Sequence, residues 1–153
     1  MDIADAISIS IAFLYGICMI FFVFTHNPIH IIACMGMFGT TLLSEGIKHG
    51  IIKRKSPRPR EATNCNLLCN DGPCGGQPGM PSGHSSQVAF FAGFYMQYTD
   101  NILIKAGLLL YAFLVMLSRY LKRCHTIYQI GAGASLGFLL SLIASKSTIQ
   151  YTL

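Results

Sequence analysis

Long apolar runs broken by short polar links set the organisation of the chain. Residues 7–24, 28–52 and 102–121 are each about 20 or more predominantly apolar positions, enough for a helix to cross a hydrocarbon core. Two further runs are weaker. Residues 85–98 are short unless their helix begins in the turn Pro81-Ser82-Gly83-His84, and 125–144 are interrupted by Gln129 and several glycines. The pattern predicts an all-α, polytopic transmembrane bundle of about five helices, near 6–25, 28–52, 84–98, 101–121 and 125–145, in a single domain over 1–153. Asp2 and Asp5 precede the first helix, where a secretory signal peptide carries basic residues, so this helix is expected to be retained.

The links separate the two ends of the bundle. His26-Asn27 and Thr99-Asp100-Asn101 are tight turns at one end. The other end receives a proline- and cysteine-containing loop, 53–82, and the link 120–124. A loop of that length is uncommon without a function. Alternating helices bring Arg58, His84, Arg119 and His125 to this second end, although they lie far apart in sequence.

Composition agrees with a membrane protein: 153 residues, 52% hydrophobic and 11% charged. Of the eleven basic residues, all but Lys105 and Lys146 fall at the loop-bearing end. The positive-inside rule would place that end in the cytosol. Cys65, Cys69, Cys74 and Cys124 fall there as well, and an even number of loop cysteines suits disulfides on an oxidising side, with three pairings possible. The alternatives are free thiols or, less readily, a zinc site. No nucleic-acid partner, cofactor or metal is expected.

Each polar feature has a plain reading and a chemical one. Lys53, Arg54, Lys55, Arg58 and Arg60 form a juxtamembrane basic cluster of the kind that binds anionic headgroups. Pro57 and Pro59 bracket Arg58, however, ending helix two and holding the arginine in an extended turn where its guanidinium can grip two phosphate oxygens. Ser82 is a natural N-cap, and the free N–H groups that follow it, around Gly83, make an anion site of the same helix end. Arg119 has a plain use in complementing a helix terminus, but ionisable groups at a membrane boundary are functional candidates by default. Gln129 lies four residues after His125 on the same helical face. Its amide oxygen can accept an imidazole N–H and leave the other ring nitrogen free, or it can make an interhelical bond. Gly133 and Gly137 are spaced for close helix contact, within the chain or in a homodimer.

Arg58-Pro59, Pro81-Ser82-Gly83-His84, and Ser118-Arg119 with five residues before His125 together resemble the three-part signature of the type 2 phosphatidic acid phosphatases, the lipid phosphatase and haloperoxidase superfamily. The stretch from Gly79 to Gln87, with His125-Thr126 and Gln129, is most similar to dolichyl diphosphatases. The resemblance implies an enzyme of the endoplasmic reticulum with its site facing the lumen, hydrolysing a lipid phosphate or diphosphate without a metal. His125 would be the nucleophile and His84 the acid. Arg58, Arg119, a lysine and the backbone at Ser82 and Gly83 would hold the phosphate. Two positions depart from the family pattern. Gln129 stands where an aspartate is usual, and Ile51 where a lysine is expected, so that Lys48, one turn deeper, or Lys55, one turn further out, is expected to supply the charge. Lys48 has a competing partner in Glu45. Three functions fit: a lipid (pyro)phosphate hydrolase, a phosphatase-fold binder or scaffold without turnover, and a small lipid transferase or transporter.

Overall fold

A computed structural model describes residues 2–152. Five helices follow one another: α1 Ile3–Thr25, α2 Pro28–Gly46, α3 Gly83–Tyr95, α4 Ile102–Leu121 and α5 Ile127–Thr152. Each start has a local cause. Asp2 and Asp5 form a capping box that begins α1 three residues earlier than the expected start near 6. Asn27 caps α2 ahead of Pro28, Ser82 caps α3 and Asn101 caps α4. His125 and Thr126 lie outside α5, which begins two residues later than expected and extends beyond 145. Helix α3 is shorter than expected, ending at Tyr95 rather than near 98.

Four of the helices, all but α3, are long and apolar enough to cross a membrane. Their outer surfaces carry Phe13, Phe24, Leu42, Leu110, Phe113 and Ile143, each more than half exposed. The interior holds buried hydroxyls and amides such as Thr40, Ser44, Ser86, Gln87 and Ser141. Apolar outside and polar inside is the distribution that lipid selects.

Helix α3 is the axis of the bundle and touches all four others, α5 most extensively. Ten of its thirteen residues are buried. Its contact with α5 depends on Gly133 and Gly137: a Cβ on Gly137 would lie 2.0 Å from the Ser86 carbonyl oxygen, and one on Gly133 2.4 Å from that of Ser82. The glycine pair is thus spent inside the chain, and a homodimer would need another surface.

The C-terminal part of the second apolar run is not a regular α-helix. After Gly46 it widens into a π-helical turn, Ile47–Ile52, and then tightens into a 3₁₀ turn, Lys53–Lys55. This shift of register decides which lysine faces inward.

Candidate active site

The loop after Lys55 is held by its own backbone. Its limbs meet in isolated antiparallel bridges at Pro57–Pro78 and Thr63–Pro73. The Arg58 N–H donates to the Gln77 carbonyl at 2.8 Å, and the Gly76 N–H donates to the Arg58 carbonyl at 3.2 Å. Arg58 therefore occupies the extended turn that its flanking prolines predict. A disulfide joins Cys65 to Cys124, tying the loop to the residue before His125. None of the three possible two-bond sets forms in full: a single bond is made. Cys69 and Cys74 are free thiols, and each faces a guanidinium: Cys69 lies 4.0 Å from Arg119 Nη1 and Cys74 3.9 Å from Arg58 Nη1.

Beneath the loop, Lys48, Arg58, His84 and His125 line one cavity of about 440 Å³. Residues from α2, the loop, the first turn of α3 and the α4–α5 link meet there. Lys48 is 3% exposed, whereas Lys55 is exposed and away from the cavity, and Ile51 turns outward at 72% exposure. The expectation that Lys48 and Lys55 share a helical face fails because the π turn takes up additional residues per turn between them. Lys48 forms an ion pair with Glu45, whose carboxylate also reaches His49 Nε2 at 3.3 Å.

Gln129 does more than orient a histidine. Its Oε1 lies 3.2 Å from His125 Nδ1 and accepts the Thr126 N–H at 3.2 Å. Its Nε2 donates to the Pro57 carbonyl at 2.9 Å and to Ser56 Oγ at 3.1 Å. With Nδ1 carrying the proton toward Gln129, His125 Nε2 is the basic nitrogen. His125 is 2% exposed and lies in the link between α4 and α5. Its burial first, then the charges of Arg58 and Arg119, holds the imidazole well below the usual histidine range, outweighing the opposing bond from Gln129. The ring is accordingly neutral at pH 7.

Two expected phosphate holders are partly occupied by the protein itself. Arg119 is fully buried. Its Nη1 donates to Ser8 Oγ on α1 and its Nη2 to the Cys65 carbonyl at 2.6 Å, so most of its fork locks the loop to the bundle. The Ser82 N–H donates to the Gln129 carbonyl at 3.0 Å, which leaves Gly83 and His84 as the N–H groups at the start of α3 without acceptors among the described residues. What remains is a set of buried nitrogens with no hydrogen-bond partner among the described residues: Arg58 Nε, His84 Nε2 and Arg119 Nε. Unpaired buried donors are rare and call for a ligand or water.

Tyr15, Thr41 and Gln87, not expected at the site from the sequence, line the cavity as well: the Tyr15 hydroxyl donates to Gln87 Oε1 at 3.0 Å and lies 3.3 Å from Thr41 Oγ1. Ser8 is likewise not expected from the sequence. The available signal was a polar side chain in an otherwise apolar helix. Among the described residues, no three His, Cys, Asp or Glu side chains are grouped to hold a metal ion.

Histidines and cations around a cavity at the end of an apolar helix bundle, with an Arg-Pro turn, a Pro-Ser-Gly-His cap and an Arg-to-His link in that order, can receive a phosphate at a membrane boundary. Neither a curated protein nor a solved structure is significantly similar to the chain. Residues 29–151 match the PAP2 superfamily, to which lipid phosphatases belong, and the chain belongs to that family as an integral membrane protein.

Proposed function

We propose that the protein is a lipid (pyro)phosphate phosphohydrolase acting on dolichyl or other polyprenyl diphosphates through a phosphohistidine. The observation that carries the reading is the set of unpaired buried nitrogens, Arg58 Nε, Arg119 Nε and His84 Nε2, beside a cavity lined by both histidines. In this scheme His125 Nε2 attacks the terminal phosphorus, forming an N–P bond as the bond to the bridging oxygen breaks. His84, held below the usual histidine range by burial and the neighbouring cations, takes up a proton when the phosphate's negative charge enters and gives it to that oxygen. Water then attacks the phosphohistidine, His84 takes the water's proton, and phosphate leaves with His125 restored. Lys48, Arg58, Arg119 Nε and the Gly83 N–H stabilise charge on the equatorial oxygens. Side-chain cations thus provide the positive charge, and no metal is assigned a role.

The lipid tail leaves the cavity between helices, toward the apolar outer surface. The Cys65–Cys124 disulfide supports an oxidising side, and hence a lumenal site in the endoplasmic reticulum, over the cytosolic placement favoured by basic-residue bias. A binder or scaffold without turnover is the second reading, favoured by the engagement of Lys48 with Glu45 and of Arg119 with Ser8 and Cys65.

The deciding experiment measures phosphate release from prenyl diphosphate and from phosphatidic acid with EDTA present, for the wild type and for His125→Ala. The hydrolase reading expects release by the wild type, faster from prenyl diphosphate, and none above background from the variant. Release that survives the substitution overturns the phosphohistidine scheme, and a requirement for divalent metal overturns the metal-free one. No release by the wild type selects the binder.

A further inference from the structure

We propose that Glu45 is a specificity-determining residue: a resident counter-ion that a ligand must displace from Lys48, so that terminal phosphates enter the site and phosphodiester headgroups do not. The inference rests on the phosphate-site reading above.

A carboxylate within an anion site needs a reason. Glu45 lines the same cavity as Lys48, Arg58 and both histidines. It pairs with Lys48, and its Oε1 lies 3.6 Å from where a Cβ on Gly83 would stand. Glu45 Oε1 therefore sits between the buried lysine and the first turn of α3, whose free N–H groups favour an anion. This is the place a phosphate oxygen would take. Its two cationic partners differ in depth. Lys48 is 4% exposed in its side chain, whereas His49, on the other carboxylate oxygen, is 63% exposed. Glu45 itself is 46% exposed, so its carboxylate can swing outward toward His49 and water while the lysine stays behind.

Such an exchange sorts ligands by charge. A terminal phosphate carries up to two negative charges on three free oxygens and replaces a single carboxylate with a net gain at Lys48, Arg58 and Arg119. A phosphodiester carries one charge on two free oxygens, no more than the carboxylate it would have to dislodge. The surrounding bilayer is rich in phosphodiester headgroups, and a cationic pocket without an internal anion would fill with them.

The test measures equilibrium binding of inorganic phosphate and of dimethyl phosphate to the full chain in detergent, for the wild type, Glu45→Gln and Glu45→Asp, and for Lys48→Met with and without Glu45→Gln. The expected result is roughly tenfold tighter phosphate binding by Glu45→Gln, the size of effect from removing one charge beside a partly exposed site. Dimethyl phosphate should bind Glu45→Gln but neither the wild type nor Glu45→Asp. In the Lys48→Met background the gain from the Glu45 substitution should be much smaller, because only the loss of a nearby negative charge remains and no lysine is freed. Equal phosphate affinities for wild type and Glu45→Gln overturn the inference alone, as does a gain of undiminished size without Lys48. Phosphate binding by none of the proteins overturns the phosphate-site reading and this inference with it.

Discussion

Replacing Gln129 by glutamate asks whether the amide is a degraded aspartate or a part with its own function. The substitution is nearly isosteric and leaves an oxygen to face His125 Nδ1. It removes the N–H donors that reach the Pro57 carbonyl at 2.9 Å, Ser56 Oγ at 3.1 Å and the Ser56 carbonyl at 3.3 Å. Gln129 is 1% exposed, so the groups left behind cannot turn to water. Each lost bond costs about 1 kcal/mol net, and a carboxylate set against two buried carbonyls adds its own desolvation, for a total of about 3–5 kcal/mol. For a chain of this size that corresponds to a fall in melting temperature on the order of 10 °C. Because the same donors hold the turn carrying Arg58, turnover should drop about a hundredfold through misplacement of the phosphate. Thermal unfolding in detergent and phosphate release from prenyl diphosphate measure both. Part of the stability should return as pH falls, since a protonated glutamic acid regains one donor. A Gln129→Glu protein with wild-type stability and higher turnover would refute this account of the amide.

The depressed His125 gives a second expectation. A neutral buried imidazole binds fewer protons than the unfolded chain, so its contribution is fully present above the unfolded value near 6.5 and is lost as pH falls through the lower folded value. Burial holds His84 low in the same way, so melting temperature should decline from about pH 6.5 downward and His125→Gln should remove part of that decline; an unchanged slope counts against the assignment. Cleaving the Cys65–Cys124 bond opens a link between residues 59 apart, worth about 4 kcal/mol by chain entropy. Cys65→Ser should therefore melt markedly earlier and lose phosphate binding, and retention of both would show that the loop is held without it. Gly137→Ala places a methyl 2.0 Å from the Ser86 carbonyl and should destabilise by about 2 kcal/mol or more. A neutral effect on melting would mean that α3 and α5 are not so closely packed.

Much of this architecture is legible in the chain because lipid-facing helices must be apolar along their whole length. Residues 7–24 and 102–121 announce α1 and α4 for that reason. Helix α3 is faint for the opposite reason. It is enclosed by protein, so Ser85, Ser86 and Gln87 are buried against partners rather than lipid, and neither hydropathy nor periodicity marks it. The extended turn at Arg58 follows from its two prolines. The lysine could not be settled, since spacing rules assume one helical pitch and Ile47–Ile52 departs from it. Nor could the duties of Arg119 be read, because its acceptors, Ser8 and the Cys65 carbonyl, come from parts of the sequence with no pattern linking them.

The bond between Cys65 and Cys124 also bears on how the protein is made. Cys65 is synthesised well before Cys124, and the two can meet only after α3 and α4 have gone into the membrane and come back as a hairpin. Until then Arg119 lacks one of its anchors and His125 has not been drawn under the loop. Closure of the loop over the cavity that Lys48, Arg58, His84 and His125 line is therefore a late event, since the bond that ties it down joins residues on either side of that hairpin.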